Sequence, residues 1–151
     1  MVAGRRAGTV ATMTEIEDFN KGIIDEFRAN GGHVGGPLAG SPMILVTHTG
    51  AKSGQQRTSP LVYSTDGDRV VIVASMGGAP TNPAWLHNIA ANPKVTVEIG
   101  DETYAADAEV LTDGAERQRL FDQQAALMPQ FSDYQARTDR VIPVVVLTRA
   151  A

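Results

Sequence analysis

The residues best equipped for chemistry stand together in Thr49-Gly50-Ala51-Lys52-Ser53-Gly54-Gln55-Gln56-Arg57-Thr58-Ser59-Pro60. Two glycines let the backbone turn and aim N–H groups into a concave nest of the kind that binds anions. Lys52 adds a point charge and Arg57 a planar fork suited to phosphate or carboxylate. Ser53 and Thr58 add hydroxyl donors. Gly50-Ala51-Lys52-Ser53-Gly54 looks like a piece of a nucleotide P-loop, but the G-x-x-x-x-G-K-[ST] spacing is absent and a strand pattern follows instead of a helix. The same stretch also reads as a long polar hairpin turn with solvated charges, and the pattern alone leaves both readings open.

Three further segments carry usable side chains. Ala74-Ser75-Met76-Gly77-Gly78-Ala79-Pro80 ends a strand on two glycines, where a flat ring can lie close to the backbone, or where the chain simply turns. Asn82-Pro83-Ala84-Trp85-Leu86-His87-Asn88 opens a short helix whose N-terminus favours an anion. Trp85 suits a core, and His87 and Asn88 can hydrogen-bond a polar ligand. Met128, Phe131 and Tyr134 recur at three-residue steps as one apolar stripe. That stripe reads as core packing or as a substrate-pocket wall with the Tyr134 hydroxyl as proton donor. His33, His48 and His87 show no close ligand spacing, so no metal site is expected. No nucleophile elbow is visible either.

The elements that must position these residues follow from periodicity. Ile16, Phe19, Ile23, Ile24 and Phe27 mark a helix over Glu15–Ala29, with Thr14 and Glu17 as a capping box and Asn30-Gly31-Gly32 as its stop. Strand patterns cover Met43–Thr49, Thr58–Thr65, Arg69–Ser75, Val95–Ile99, Thr103–Leu111 and Ile142–Thr148, with an Asp-Gly hairpin at Asp66-Gly67-Asp68. Asn82 is expected to cap a helix with Pro83 at its first position, ending at Asn92-Pro93. Asp113 and Glu116 form a second capping-box pattern before a helix through Leu120, Phe121 and Leu127. About six antiparallel strands with flanking helices predict a mainly β, α+β fold, a small closed or half-open barrel.

The chain has 151 residues, the size of one domain, and no cysteine, which rules out disulfides and thiolate chemistry. Residues 1–13 carry Arg5 and Arg6 without an apolar signal core, so they read as a disordered tail with Met13 an alternative start, ahead of a single domain over 14–151. A net charge of −4 argues against general nucleic-acid binding. Between residues 27 and 97 five bases (Arg28, Lys52, Arg57, Arg69, Lys94) face two acids (Asp66, Asp68), a local bias that attracts a small anion. No apolar run is long enough for a membrane span. The acidic first helix disfavours peripheral contact with anionic lipid, and a cytoplasmic protein is expected.

Taken in order, FRANGGHVGGPLAGSP, LVTHTGAKSGQQRTSPLVY, DGDRVVIVASMGGAPTNPAWLHNIAANPKVTVEIG and DYQARTDRVIPVVVL resemble the deazaflavin-dependent nitroreductase family of actinobacteria, the A-type flavin/deazaflavin oxidoreductases. The likeness runs from about Phe27 to Thr148. It implies a split β-barrel and coenzyme F420, whose phospholactyl-oligoglutamate tail is a polyanion. By resemblance, Lys52, Gln55 and Arg57 hold the phosphate and tail carboxylates. Pro60, Leu61, Val73 and Ser75 line the deazaflavin ring, and Met76, Trp85 and Asn88 complete the pocket. Met128 and Phe131 stand where family members that activate nitroimidazoles carry aromatic hydroxyls, so little activity on such prodrugs is expected, with Tyr134 remaining. The resemblance implies a reductase passing hydride from reduced F420 to an activated double bond, a quinone or a nitro compound, with Tyr134, Ser75 or water giving the proton. An FMN enzyme on the same barrel, or a non-catalytic F420 carrier, would use the same loop. The partners expected are a small-molecule electron acceptor and, at most, a second copy of the chain.

Overall fold

The computed structural model describes residues 13–150. The expected disordered tail therefore lies outside the described residues, apart from Met13, which is helical. Helix α1 runs Met13–Ala29, so Thr14 lies inside the helix and not at its cap. Its stop is as expected: Gly31 turns at φ 61°, and the Gly32 N–H returns to Phe27 O at 2.9 Å.

The strands are β1 (Met43–Thr49), β2 (Gln56–Val62), β3 (Ser64–Asp66), β4 (Arg69–Val73), β5 (Lys94–Ile99), β6 (Glu102–Leu111) and β7 (Val144–Arg149). They form one antiparallel sheet in the order β2-β1-β5-β6-β7-β4-β3. The strand expected over Thr58–Thr65 is thus two strands: its first part pairs with β1, its second with β4, and Tyr63 is the hinge between partners. The two edges of the sheet are consecutive pieces of chain one residue apart, which is possible only if the sheet curls almost onto itself. Six runs of chain accordingly make seven strands. Pro60 sits opposite Leu45 on the edge strand β2, where its missing donor does least harm.

Alternation then assigns the faces. Ile44 and Val46, Val70 and Ile72, and Val145 and Leu147 meet Val95, Val97 and Ala106 in one cluster. A cluster fed from β1, β4, β5, β6 and β7 together is the barrel interior. Helix α2 (Ala84–Ala91) plugs it with Leu86 and Ile89, each worth about 1.5–3 kcal/mol when buried. The opposite face of β4 and β7 (Val71, Val73, Val144, Val146) is covered by α3 (Gly114–Leu127) and α4 (Gln130–Ala136) through Leu120, Phe121 and Phe131. The outer face of β1 takes Phe27, Ile23 and Ile24 of α1 against Met43 and Leu45. Phe19, expected on that apolar face, is 59% exposed, because the sheet surface ends before it. No described helix is long and apolar enough to cross a membrane.

The other two cap expectations hold only in part. Asp113 is the N-cap of α3 as expected, but Pro83 and not Asn82 is that of α2, and neither helix has a side-chain cap hydrogen bond. Asn82 instead accepts a hydrogen bond from Arg140, and Glu116 pairs with Arg119 and Arg69. In each case an arginine offers the oxygen a charge-assisted partner, a stronger one than a backbone N–H.

Candidate functional site

The Gly50–Gln55 loop joins the edge strand β2 to β1 and is closed internally. The Gly50 N–H donates to Gln55 O (2.8 Å), the Gly54 N–H to Gly50 O (3.0 Å) and the Gln55 N–H to Ser53 Oγ (3.1 Å), with Gly54 at φ 72°. The Ala51 N–H donates to Asn88 Oδ1 of α2 at 2.9 Å. Four of the N–H groups expected to form the anion nest are therefore occupied. The side chains of Lys52, Ser53, Gln55 and Arg57 are exposed on this loop. Among the described residues the carboxylate nearest Arg57 is Glu17, at 4.0 Å, beyond hydrogen-bonding range. Thr58 is tied across the hairpin to Thr47, hydroxyl to hydroxyl at 2.8 Å.

Beneath the loop lies a group that the sequence reading set aside. His48 continues the inward alternation of Ile44 and Val46, and it is only 3% exposed. Asn88 Oδ1 accepts the Ala51 N–H, so its Nδ2 donates to His48 Nδ1 at 3.2 Å. The imidazole proton then sits on Nε2, which donates to Ser59 Oγ at 2.9 Å. Asn88 thus has both polar atoms committed to protein and supports the loop from behind. Burial first, and the Arg57 charge second, lower the His48 pKa below 6.5. The unfolded chain takes up this proton near 6.5 and the folded protein only at lower pH. The stability tied to neutral His48 is therefore full above that range and is lost as pH falls through the folded value. Thermal melts from pH 7 to 5 should show a steeper loss for the wild-type chain than for His48→Gln; equal slopes would contradict this role.

The second half of the site is the turn after β4. Ser75 is buried, and Met76–Gly78 form a short 3-10 turn in which Met76 adopts φ 47° and stands 54% exposed. This turn packs on α4, with Gly78 against the Tyr134 backbone. Met128 and Tyr134 are half-buried, and the Phe131 ring meets Tyr134 edge-on at 5.2 Å. Phe131 (4% exposed) and Val73 (7%) give their side chains to the cluster under α3 and α4. Leu61 and Trp85 pack against the barrel interior, and Pro60 is half-buried beside them on β2. The loop is tied to α2 through the Ala51 N–H and Asn88, and the turn precedes α2 in the chain, a few residues before Trp85. Two grooves, of about 380 and 440 Å³, lie elsewhere, along α1 and around Gly31–Val34.

Arg140 was also missed. It gave no periodic or motif signal, yet its guanidinium reaches Ala74 O, Ser75 O, Ala79 O and Asn82 Oδ1.

A curled antiparallel sheet with flanking helices and an exposed cationic hairpin loop makes this a small split-barrel protein with a surface that can take an anion. The donor set of lysine, arginine and hydroxyl suits a polyanionic tail. The family model for F420H(2)-dependent quinone reductase matches residues 21–149. An F420H(2)-dependent quinone reductase of Mycobacterium tuberculosis is 41% identical over 128 residues, covering 82% of this chain and 85% of that protein. Among solved structures, an F420-H2 dependent reductase (FDR-A) is 39% identical with a TM-score of 0.65, covering 70% of this chain and 93% of its own. A domain-swapped dimer is 35% identical with a TM-score of 0.67, covering 90% and 99%. The chain belongs to the F420H(2)-dependent quinone reductase family, and is an oxidoreductase with F420 as its hydride donor.

Proposed function

We propose that this reductase passes its hydride to a quinone held beside the Ser75–Gly78 turn, where that turn packs on α4. The observation that carries the reading is the exposed cationic loop tied to α2 through Asn88, in a chain of this family. Lys52, Ser53, Gln55 and Arg57 meet the phosphate and tail carboxylates. Pro60, Leu61 and Trp85 border the ring, with Ser75 and Met76 at its edge. Val73 and Asn88 act from behind, one packing under the turn and the other holding the loop. Met128 and Tyr134 face the acceptor, and Phe131 stacks beneath them.

Bound F420H2 supplies the hydride, and a quinone leaves as quinol once one proton is added. The protein positions both rings and keeps water from the reacting carbons. Tyr134 or Ser75 offers the proton at its hydroxyl. The dimeric relative makes a homodimer the assembly to look for first.

Anaerobic oxidation of F420H2 by a panel of quinones, enones and nitro compounds tests the reading. A higher kcat/KM for quinones is expected. Tyr134→Phe should lower kcat about a hundredfold if its hydroxyl is the proton donor. An unchanged kcat removes that role, and no oxidation with any acceptor removes the enzyme.

A further inference from the structure

The Ala74–Asn82 segment, which links β4 to α2, is held by one side chain from outside it. Arg140, half-buried in the link between α4 and β7, donates from Nη2 to Ser75 O (2.8 Å) and from Nε to Ala79 O (2.8 Å). Its Nη1 donates to Ala74 O (3.3 Å) and Asn82 Oδ1 (2.7 Å). All four acceptors are neutral and three are main chain. Only a planar fork with several fixed donors can address such a set; an ammonium cannot.

The segment so gripped contains Met76, the one non-glycine residue at positive φ among the described residues. A backbone state of that kind persists only where its surroundings over-determine it. Here the surroundings are Arg140 on one side and α4 on the other: Gly78 abuts the Tyr134 main chain, and Arg137 Nη1 reaches Gly77 O at 3.4 Å. The cationic loop is attached by different contacts, through Asn88 further along α2.

We infer that Arg140 is a positioning residue for hydride transfer: by gripping the carbonyls of Ala74, Ser75 and Ala79 it fixes the Ser75–Gly78 turn against α4, and so sets how Met76 and Tyr134 hold the acceptor beside the coenzyme. This rests on the function proposed above. Arg140 touches neither ring. Coenzyme affinity resides in the separate loop, so loss of the grip lowers turnover and spares affinity.

The test uses Arg140→Lys and the milder Asn82→Ala, each checked for folding by circular dichroism. F420 affinity is read by titration, and kcat with F420H2 and a water-soluble naphthoquinone. Arg140→Lys should lose about tenfold or more in kcat, the scale set by a small misplacement of reacting groups. Asn82→Ala, which removes one of the four acceptors, should lose about threefold. The F420 Kd should stay within about threefold in both. In Arg140→Ala, added guanidinium ion should restore part of kcat. Should Arg140→Lys fail to fold, Asn82→Ala decides by the same two readouts. Folded variants with wild-type kcat would overturn the inference alone, as would kcat and affinity falling together. A wild-type chain that binds no F420 would overturn the function on which it rests.

Discussion

Replacing Lys52 and Arg57 together by alanine is expected to weaken F420 binding about a hundredfold while leaving the protein folded. Both side chains are exposed, and neither contributes to any core cluster. The loop is closed by its own backbone bonds, by Ser53 and by Asn88, so it keeps its shape without them. A hydrogen bond to a charged group contributes about 1.5–3 kcal/mol, and two at the lower figure give about 3 kcal/mol, roughly two decades of affinity. Because both side chains are exposed, the loss should shrink as salt rises and screens the wild-type contacts. Titration at low and moderate ionic strength checks both points. An unchanged Kd would move the anion site away from this loop.

Gly78→Ala should have the largest effect on the fold among single-methyl changes near the site. Gly78 adopts φ +85°, where an L side chain is strained by about 1–2 kcal/mol. The added Cβ would stand 2.7 Å from Tyr134 O and 3.2 Å from Tyr134 Cα. These are main-chain atoms of α4 and cannot swing aside, so the helix must move, at a further cost of about 1–3 kcal/mol. A total of about 3 kcal/mol lowers Tm by about 8 °C in a domain of this size. Gly77 is the built-in control. It is also at positive φ, +65°, but nothing lies within 4 Å of its added Cβ, so Gly77→Ala should carry the backbone strain alone. Calorimetry of the pair, with naphthoquinone turnover alongside, separates the terms. Equal destabilisation would show that the close approach to α4 does not matter. A kcat retained in Gly78→Ala would detach the turn from catalysis.

The sheet was legible because its strands are β-branched apolar runs bounded by turn signals, alternating in β5 and apolar on both faces in β4 and β7. Ile44 and Val46 point in, Met43 and Leu45 out, as alternation requires. The change of partner at Tyr63 was not legible, because pairing is a property of two strands and Thr58–Thr65 is apolar enough for either. The helix caps failed for a related reason. Asn82 and Glu116 have the side chains a cap needs, but arginines compete for them: Arg140 from far along the chain for Asn82, and Arg119 one turn on, with the distant Arg69, for Glu116. The cationic loop announced itself through residue type and spacing. What supports it did not: His48 showed no ligand spacing, Asn88 read as a ligand contact, and Arg140 drew no role of its own. Each acts through partners at least 11 residues away in sequence, which no local pattern encodes. Even the alternation of β1 placed His48 among inward-facing residues without saying what it would meet there.

F420, and not a flavin, is the ligand expected at the cationic loop and the Ser75–Gly78 turn. Titration of the wild-type chain with F420 and, separately, with FMN at moderate salt decides between them. Saturable, micromolar-range binding of F420 that FMN cannot displace at equal concentration is expected. Tight FMN binding with none for F420 would contradict it.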